Sequence, residues 1–246
     1  MDYSHYFENS IRETKRKLRE SVRDDWLIIQ AVGSIGELDR AANLLVKRLR
    51  EWYELYNPEF SKSLADHGKF VELILRKGKS ELLKEVKVRK EDSMGADFSE
   101  ENLKPVMDLA RAISELYKLR AFQEKYLEQL MKKTAPNVAA IAGHLTGAKL
   151  IALAGSLKGL AEMAASKIQV LGAERAMFRH LKDKRNRPPK FGVLHEHPLI
   201  SAAKKQDHGK IARGLADKTA IAARIDFFKG KFIGDKLRQE LERKFR

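Results

Sequence analysis

Two groups of side chains in this sequence have types and spacing that could do chemistry. The first runs from Arg179 to Lys190, where Arg179, Lys182, Lys184, Arg185, Arg187 and Lys190 stand against a single acid, Asp183. Cations at that density gain affinity for a phosphate backbone by displacing its condensed counterions. Arg adds a planar fork suited to phosphate oxygens and base edges. Pro188 and Pro189 restrict the segment, so less entropy is lost when it is ordered. Phe191 and His195 flank the cluster and could stack on an unpaired base, while Phe191 would serve equally in a core. The second group is His195-Glu196-His197, with His180 and His208 on either side. A His-x-His pair could ligate a metal, but no carboxylate cluster is positioned beside it, and no metal site is assigned. The same histidines beside lysines could act as general acid and base, which leaves a histidine-dependent ribonuclease as the enzymatic alternative.

Other chemistry finds no support. Gly214-Leu-Ala-Asp-Lys-Thr ends like a phosphate loop but has Asp217 where a glycine must let backbone N–H groups cradle phosphate. There is no dinucleotide fingerprint or nucleophile elbow, and no cofactor is expected. The absence of cysteine excludes a disulfide framework, thiolate zinc sites and a cysteine nucleophile.

Charge points the same way as the first cluster. The chain carries a formal net charge of +15, a balance that suits nucleic acid or an anionic surface. The excess is uneven: residues 134–246 hold 23 Lys and Arg against 10 Asp and Glu, whereas residues 1–133 hold 26 against 24. The opening residues, Met-Asp-Tyr-Ser-His-Tyr, have neither a basic nor an apolar leader pattern. The most apolar stretch, 137–160, is interrupted by His144, Lys149 and Lys158, so no membrane span is expected and the chain reads as cytoplasmic.

The elements that must position these side chains read as helices, giving an all-α chain. From Ile28 the apolar residues fall at Ile28, Ala31, Ile35, Leu38, Ala42, Leu45, Leu49, Trp52 and Tyr56, the 3.5-residue repeat of a coiled-coil seam. The pattern predicts one helix reaching back through Val22 and Leu18 to about Ile11 and ending before Pro58. A second long helix starts at Ser99 or Pro105, with its seam at Val106, Leu109, Ile113, Leu116, Arg120, Gln123, Leu127 and Leu130. Residues 59–98 between them predict a tip insert with two short helices, 69–75 and 80–88. The two long helices fold back as an antiparallel hairpin. A homodimer is expected through its remaining apolar surface, with Ile35, Leu38, Leu45, Leu49, Trp52, Ile113 and Leu116 as candidates. Lys132-Lys133-Thr134-Ala135-Pro136 marks the boundary between a coiled-coil domain, 1–133, and a second domain, 134–246. Small residues from Ala139 to Gly155 allow close helix packing there. Ile200–Arg224 predicts a further helix, and 235–246 a last charged one.

Ala135-Pro-Asn-Val with Gly143, Gly155-Ser-Leu-Lys-Gly-Leu, and Ser166-Lys-Ile-Gln-Val-Leu-Gly-Ala-Glu-Arg-Ala-Met-Phe-Arg closely resemble the Nop domain, found in core proteins of box C/D ribonucleoproteins and in a spliceosomal pre-mRNA processing factor. Gly192-Val-Leu-His-Glu-His-Pro-Leu-Ile and the stretch from Gly209 to Asp226 continue the match, and Arg48-Leu-Arg-Glu-Trp-Tyr looks like the family's coiled coil. The resemblance implies a non-catalytic scaffold that binds box C/D guide RNA at a kink-turn already occupied by a small ribosomal-protein-like kink-turn-binding protein. Gly172, Ala173, Glu174 and Arg175 would then face the small protein and the RNA. Lys167, Gln169, Arg179, Lys182, Arg213, Lys218 and Arg224 would contact phosphates and base edges, joined by Arg185, Arg187, Lys190 and His195 of the basic cluster. The family pairs two copies through its coiled coil. Its members recruit the methyltransferase fibrillarin through an N-terminal domain, whereas here the coiled coil starts almost at once, which implies a fragment or a shortened homologue. The end at Arg246, without a Lys-rich tail, looks archaeal. A splicing-factor-like Nop protein is the alternative within this family.

Overall fold

The computed structural model describes residues 4–245, and within them every regular element is helical, so the chain is all-α as its sequence indicates. Met1, Asp2, Tyr3 and Arg246, on which the readings of the two chain ends partly rest, lie outside the described residues. Two compact units are present: one takes residues 34–124, the other the residues up to 33 together with those from 125 onward. The sequence placed its boundary at 133/134; the units instead divide within both long helices.

In the 34–124 unit, α2 (Asp24–Glu54) supplies Val46, Leu49 and Tyr53 to a core that also holds Val106, Ala110 and Ile113 of α6 (Glu100–Thr134). The two helices run antiparallel, as residues early in α6 meet residues late in α2, and Asp39 pairs with Arg120 at 2.8 Å. Between them α3 (Pro58–Ser63), α4 (His67–Arg76) and α5 (Lys79–Glu85) bring Phe60, Phe70, Val71, Ile74 and Leu82 into the same core. Two of the three overlie the short helices expected at 69–75 and 80–88. Arg50 anchors this insert: its guanidinium lies 4.3 Å from the Phe70 ring centroid and donates to the carbonyls of Ser61 and Leu64. At the start of α6 the Ser99 hydroxyl caps the helix by accepting from Asn102 N–H.

The expected seam needs correcting on one side. Ile35, Ala42 and Leu49 are buried as expected, but Val46 and Tyr53 are buried beside them while Leu45 packs only partly against the core and Trp52 is exposed; on α6, Val106 and Ile113 are buried with Ala110, and Leu109 only partly. Both helices carry apolar residues three and four positions on, so the pattern defines a central stripe but not which flank turns inward. The seam includes a polar pair, Asp39 with Arg120, that hydrophobic spacing discounts. Consequently Ile35, Leu49 and Ile113, proposed for a dimer interface, are used up inside the unit. Leu38, Leu45, Trp52 and Leu116 stay partly exposed.

The extension of the first helix is also corrected. Residues 4–21 form a separate helix, α1 (Ser4–Ser21), and Ile11, Leu18 and Val22 are exposed. The break falls where Asp24 and Asp25 begin α2, and Asp25 is buried with its carboxylate accepting from Leu157 N–H at 3.1 Å.

The second unit is built around α13 (His208–Phe227). It buries Ile211, Ala212, Leu215, Ala216, Ala220, Ala222 and Ala223, and alanines at that density let neighbouring helices approach closely. Packed on it are α7 (Pro136–Ala142), α9 (Leu157–Glu162), α10 (Ala165–Val170) and α14 (Gly234–Phe245), with α8 (His144–Ala154) beside α7 and α9. No single described helix is long and apolar enough to cross a membrane. The helix expected over 200–224 is interrupted: α12 (Pro198–Ser201) ends in a turn through Lys204-Lys205-Gln206-Asp207, whose four polar residues offer the core nothing, and α13 starts after it.

Asp226 at the end of α13 accepts from Asn137 N–H at 3.1 Å, from the Asn137 amide at 2.7 Å and from Val138 N–H at 2.9 Å, while Asn137 accepts from Ile233 N–H. The carboxylate thereby caps α7. Burial pushes the Asp226 carboxyl up from its ordinary value, against the pull of these donors. The Ala135-Pro-Asn-Val and Arg224-Ile-Asp226 segments are therefore a structural clasp.

Candidate nucleic-acid interface

The basic cluster sits on α11 (Glu174–Lys182) and the loop after it. Two backbone segments hold that loop at its base: Gly192 N–H donates to Gln169 O at 2.8 Å and Val193 N–H to Leu171 O at 2.9 Å. The approach is close enough that a Cβ on Gly192 would lie 1.9 Å from the Leu171 carbonyl oxygen. Gly172 turns the chain from α10 into α11 at φ +87°, where a side chain would be strained and would also strike Val193. The Gln169 amide donates to Lys190 O at 2.7 Å. Farther out, His180 Nδ1 donates to Asn186 O, and the Asp183 carboxylate accepts from both the backbone and the guanidinium of Arg185. The arginine loop is thus pre-formed, and a loop ordered before binding loses less entropy on binding.

α11 buries none of its residues. Arg175, Arg179 and Lys182 recur at steps of four and three and share a face. Beside that face Phe178 and Leu181 are 69% and 56% exposed. Helical spacing makes α11 amphipathic, yet among the described residues Phe178 and Leu181 on its apolar side stay largely uncovered. Glu174 turns back to accept from Gly172 N–H at 2.7 Å, which holds the helix start.

The other predicted contacts divide into two sets. Arg187, Lys190, Gln169 and Arg213 line one cleft with the start of α13, and Lys167 is exposed on α10. Lys218 instead pairs with Glu240 of α14, and Arg224 donates to Ala161 O at 3.1 Å, so both tie helices together. His195 is exposed, with Nδ1 3.1 Å from Gly192 O and its ring stacked with Phe191 at 6.1 Å between centroids. Its neighbours turn elsewhere: Glu196 binds Lys149, and His197 Nδ1 accepts from Leu199 N–H to start α12. Burial holds His197 below the ordinary histidine value. The three residues of the His-Glu-His motif therefore do not converge, and among the described residues no cluster of three His, Cys, Asp or Glu side chains could hold a metal. The sequence reading left out Lys210, Asp217, Lys244 and Phe245, which share the cleft with Arg213. Lys210, Arg213 and Asp217, at steps of three and four along α13, carried a signal that could have found one wall.

Comparison with known proteins adds to this geometry. A profile of the Nop family, described as a snoRNA binding domain and fibrillarin, matches residues 34–246. An uncharacterised NOP5 family protein of Methanocaldococcus jannaschii is 40% identical over 98% of the chain and 61% of its own length. Nucleolar protein 58 of Schizosaccharomyces pombe is 39% identical over 84% of the chain and 43% of its own length. The human nucleolar protein 58 is 37% identical over 90% of the chain and 45% of its own length. The chain thus spans between two-fifths and three-fifths of these relatives. A crystal structure of a fibrillarin/Nop5p complex contains a chain similar to this one, with TM-score 0.58 and 28% identity, over 99% of this chain and 78% of that one.

Proposed function

The chain belongs to the Nop family, and from that premise we propose that it is a scaffold of a box C/D ribonucleoprotein that grips kink-turn guide RNA together with a small ribosomal-protein-like kink-turn-binding protein. The observation that carries the reading is α11, which offers a cationic face and, beside it, an exposed apolar one. A phosphate backbone fits Arg175, Arg179 and Lys182; a protein surface fits Phe178 and Leu181. A joint made of both would engage the whole helix, with Gly172, Ala173 and Glu174 setting its start.

The likeness to the fibrillarin/Nop5p structure supports a place beside fibrillarin. On this reading the chain's part in RNA 2′-O-methylation is to position, and the methyltransferase does the chemistry. We assign no reaction to the chain itself. Two copies would pair through the half-exposed flank of the long helices, at Leu38, Leu45, Trp52 and Leu116.

The test is binding to a kink-turn RNA with and without its small protein. Affinity should rise about tenfold or more when the protein is present, within the usual span of coupling between two sites. Phe178→Ala should remove that gain, and Arg179→Ala should weaken binding in both cases. Equal affinity with and without the small protein would overturn the composite surface.

A further inference from the structure

Behind the arginine loop, a cleft of about 690 Å³ opens between the loop, the start of α13 and the end of α14. Its size lies within the range of about 300–1,000 Å³ typical of small-ligand sites. We propose that it takes a single unpaired nucleotide of the bound RNA and prefers bases that carry an amino group. The proposal rests on the RNA-binding reading above and adds to it a site and a base preference.

The cleft is built in advance. Gly214 is buried beneath the Phe245 ring, and a Cβ there would meet that ring at 2.7 Å, so any larger residue would make the ring shift and reshape this wall. On the opposite wall Pro188 and Pro189 are held in place because Lys190 O accepts from the Gln169 amide. A ring and two prolines facing one space form apolar walls for a base, and base–aromatic stacking tolerates any base. Around the rim Arg187, Lys190, Lys210 and Lys244 supply cations, the last with its Nζ 5.7 Å from the Phe245 centroid. They suit the phosphates on either side of the inserted base.

Asp217 decides against a plain phosphate site. It is exposed and the one acid among the lining residues, one turn beyond Arg213 on α13. A carboxylate repels phosphate, but it accepts hydrogen bonds from exocyclic amino groups, as Asp and Glu do from cytosine N4. Guanine, adenine and cytosine carry such a group; uracil does not. Arg187 and Lys190 belong both to this cleft and to the basic loop, so a strand following the loop's cations passes the opening.

The experiment titrates GMP, AMP, CMP, UMP and inorganic phosphate into the full chain labelled with ¹⁵N, following the Gly209 and Gly214 amides. The three amino-bearing nucleotides should give saturable shifts at both glycines, with UMP about tenfold weaker, the loss of one hydrogen bond to a charged group. Asp217→Asn, at an exposed position, should erase that preference. Phe245→Leu should weaken all four nucleotides together. The proposal is overturned if no saturable shift appears, if UMP matches GMP, or if phosphate alone reproduces the shifts at equal affinity. Kink-turn binding by the unaltered chain, measured in parallel, separates the two readings: intact kink-turn binding with no nucleotide site sinks only the cleft, whereas a nucleotide site without kink-turn binding sinks the composite surface.

Discussion

Residues 34–124 and the helices from Lys125 onward are both rich in charge, yet they use it differently. In the first unit cations meet acids: Arg48 with Glu51, Lys62 with Glu54, Arg76 with Glu72, Lys118 with Glu115 and Arg120 with Asp39. Most of these pairs are exposed, and such pairs are worth about 0–1 kcal/mol each, so they keep a scaffold soluble more than they hold it together. The second region has too few acids for that. Arg185 is held by Asp183, while Arg175, Arg179, Lys182, Arg187 and Lys190 project from a helix and a loop that buried almost nothing to place them there. Charge that balances itself marks a frame; charge in surplus on a pre-formed, poorly buried element marks a surface meant for a partner.

The comparison breaks first at the level of packing. Leu49→Ala removes a fully buried seam residue and should cost about 3 kcal/mol in denaturant unfolding of the 34–124 unit. Leu45→Asp, on the neighbouring half-exposed flank where Leu45 still packs against the core, should cost about 1 kcal/mol yet leave the unit folded, and should shift the mass measured by light scattering from the proposed dimer to monomer. If Leu45→Asp unfolds the unit as Leu49→Ala does, the assignment of inner and outer flanks is wrong. In the other region the comparable change is Asp226→Ala, which strands the Asn137 and Val138 donors and should cost about 2 kcal/mol. Reduced RNA binding in that variant at a temperature where it remains folded would mean that Asp226 is more than a clasp.

Electrostatics sharpens the contrast at a smaller scale. Arg179→Ala should lower the slope of log affinity on log salt by about 0.7–0.9, the share of one phosphate contact. Lys62→Ala, whose cation is already paired with Glu54, should leave that slope unchanged. Equal effects from the two would show that the net charge of the chain, and not the placement of α11, governs binding.

Much of this was legible in the residue pattern. The helical class, the Ser99 cap and the stop at Pro136 follow from local signals that tertiary packing had no reason to override. The seam was half legible, because apolar residues at both the third and fourth positions on make the two flanks equivalent until a partner is chosen; the insert helices choose it, with Phe60, Phe70 and Ile74 packed in one core with Val46 and Tyr53. At the site, the clustering of Arg179, Arg185, Arg187 and Lys190 gave the loop, but spacing could not show that Lys218 and Arg224 turn toward Glu240 and Ala161. Nor could it join Lys210 and Asp217 to Phe245, which lie far apart in sequence and meet where α14 packs on α13 over Gly214.

The smallest expected effect concerns His197, where the frame beneath the interface titrates. Its Nδ1 accepts from Leu199 N–H, so the ring must be neutral there, and burial with the nearby Arg238 charge holds its pKa below the ordinary 6.5 despite a hydrogen bond with the Ile141 backbone. A depressed histidine contributes stability that is present above pH 6.5 and is lost as pH falls through its folded value, because the unfolded chain takes up the proton first. Melting temperature should therefore fall between pH 7.5 and 5, in part through this residue. His197→Asn keeps an acceptor for Leu199 N–H but cannot titrate, and its melting temperature should fall less over the same interval, by about 2 °C for each 1 kcal/mol of linkage removed. An identical pH profile in the variant would mean that His197 titrates alike in the folded and unfolded chains and that burial does not hold its proton off.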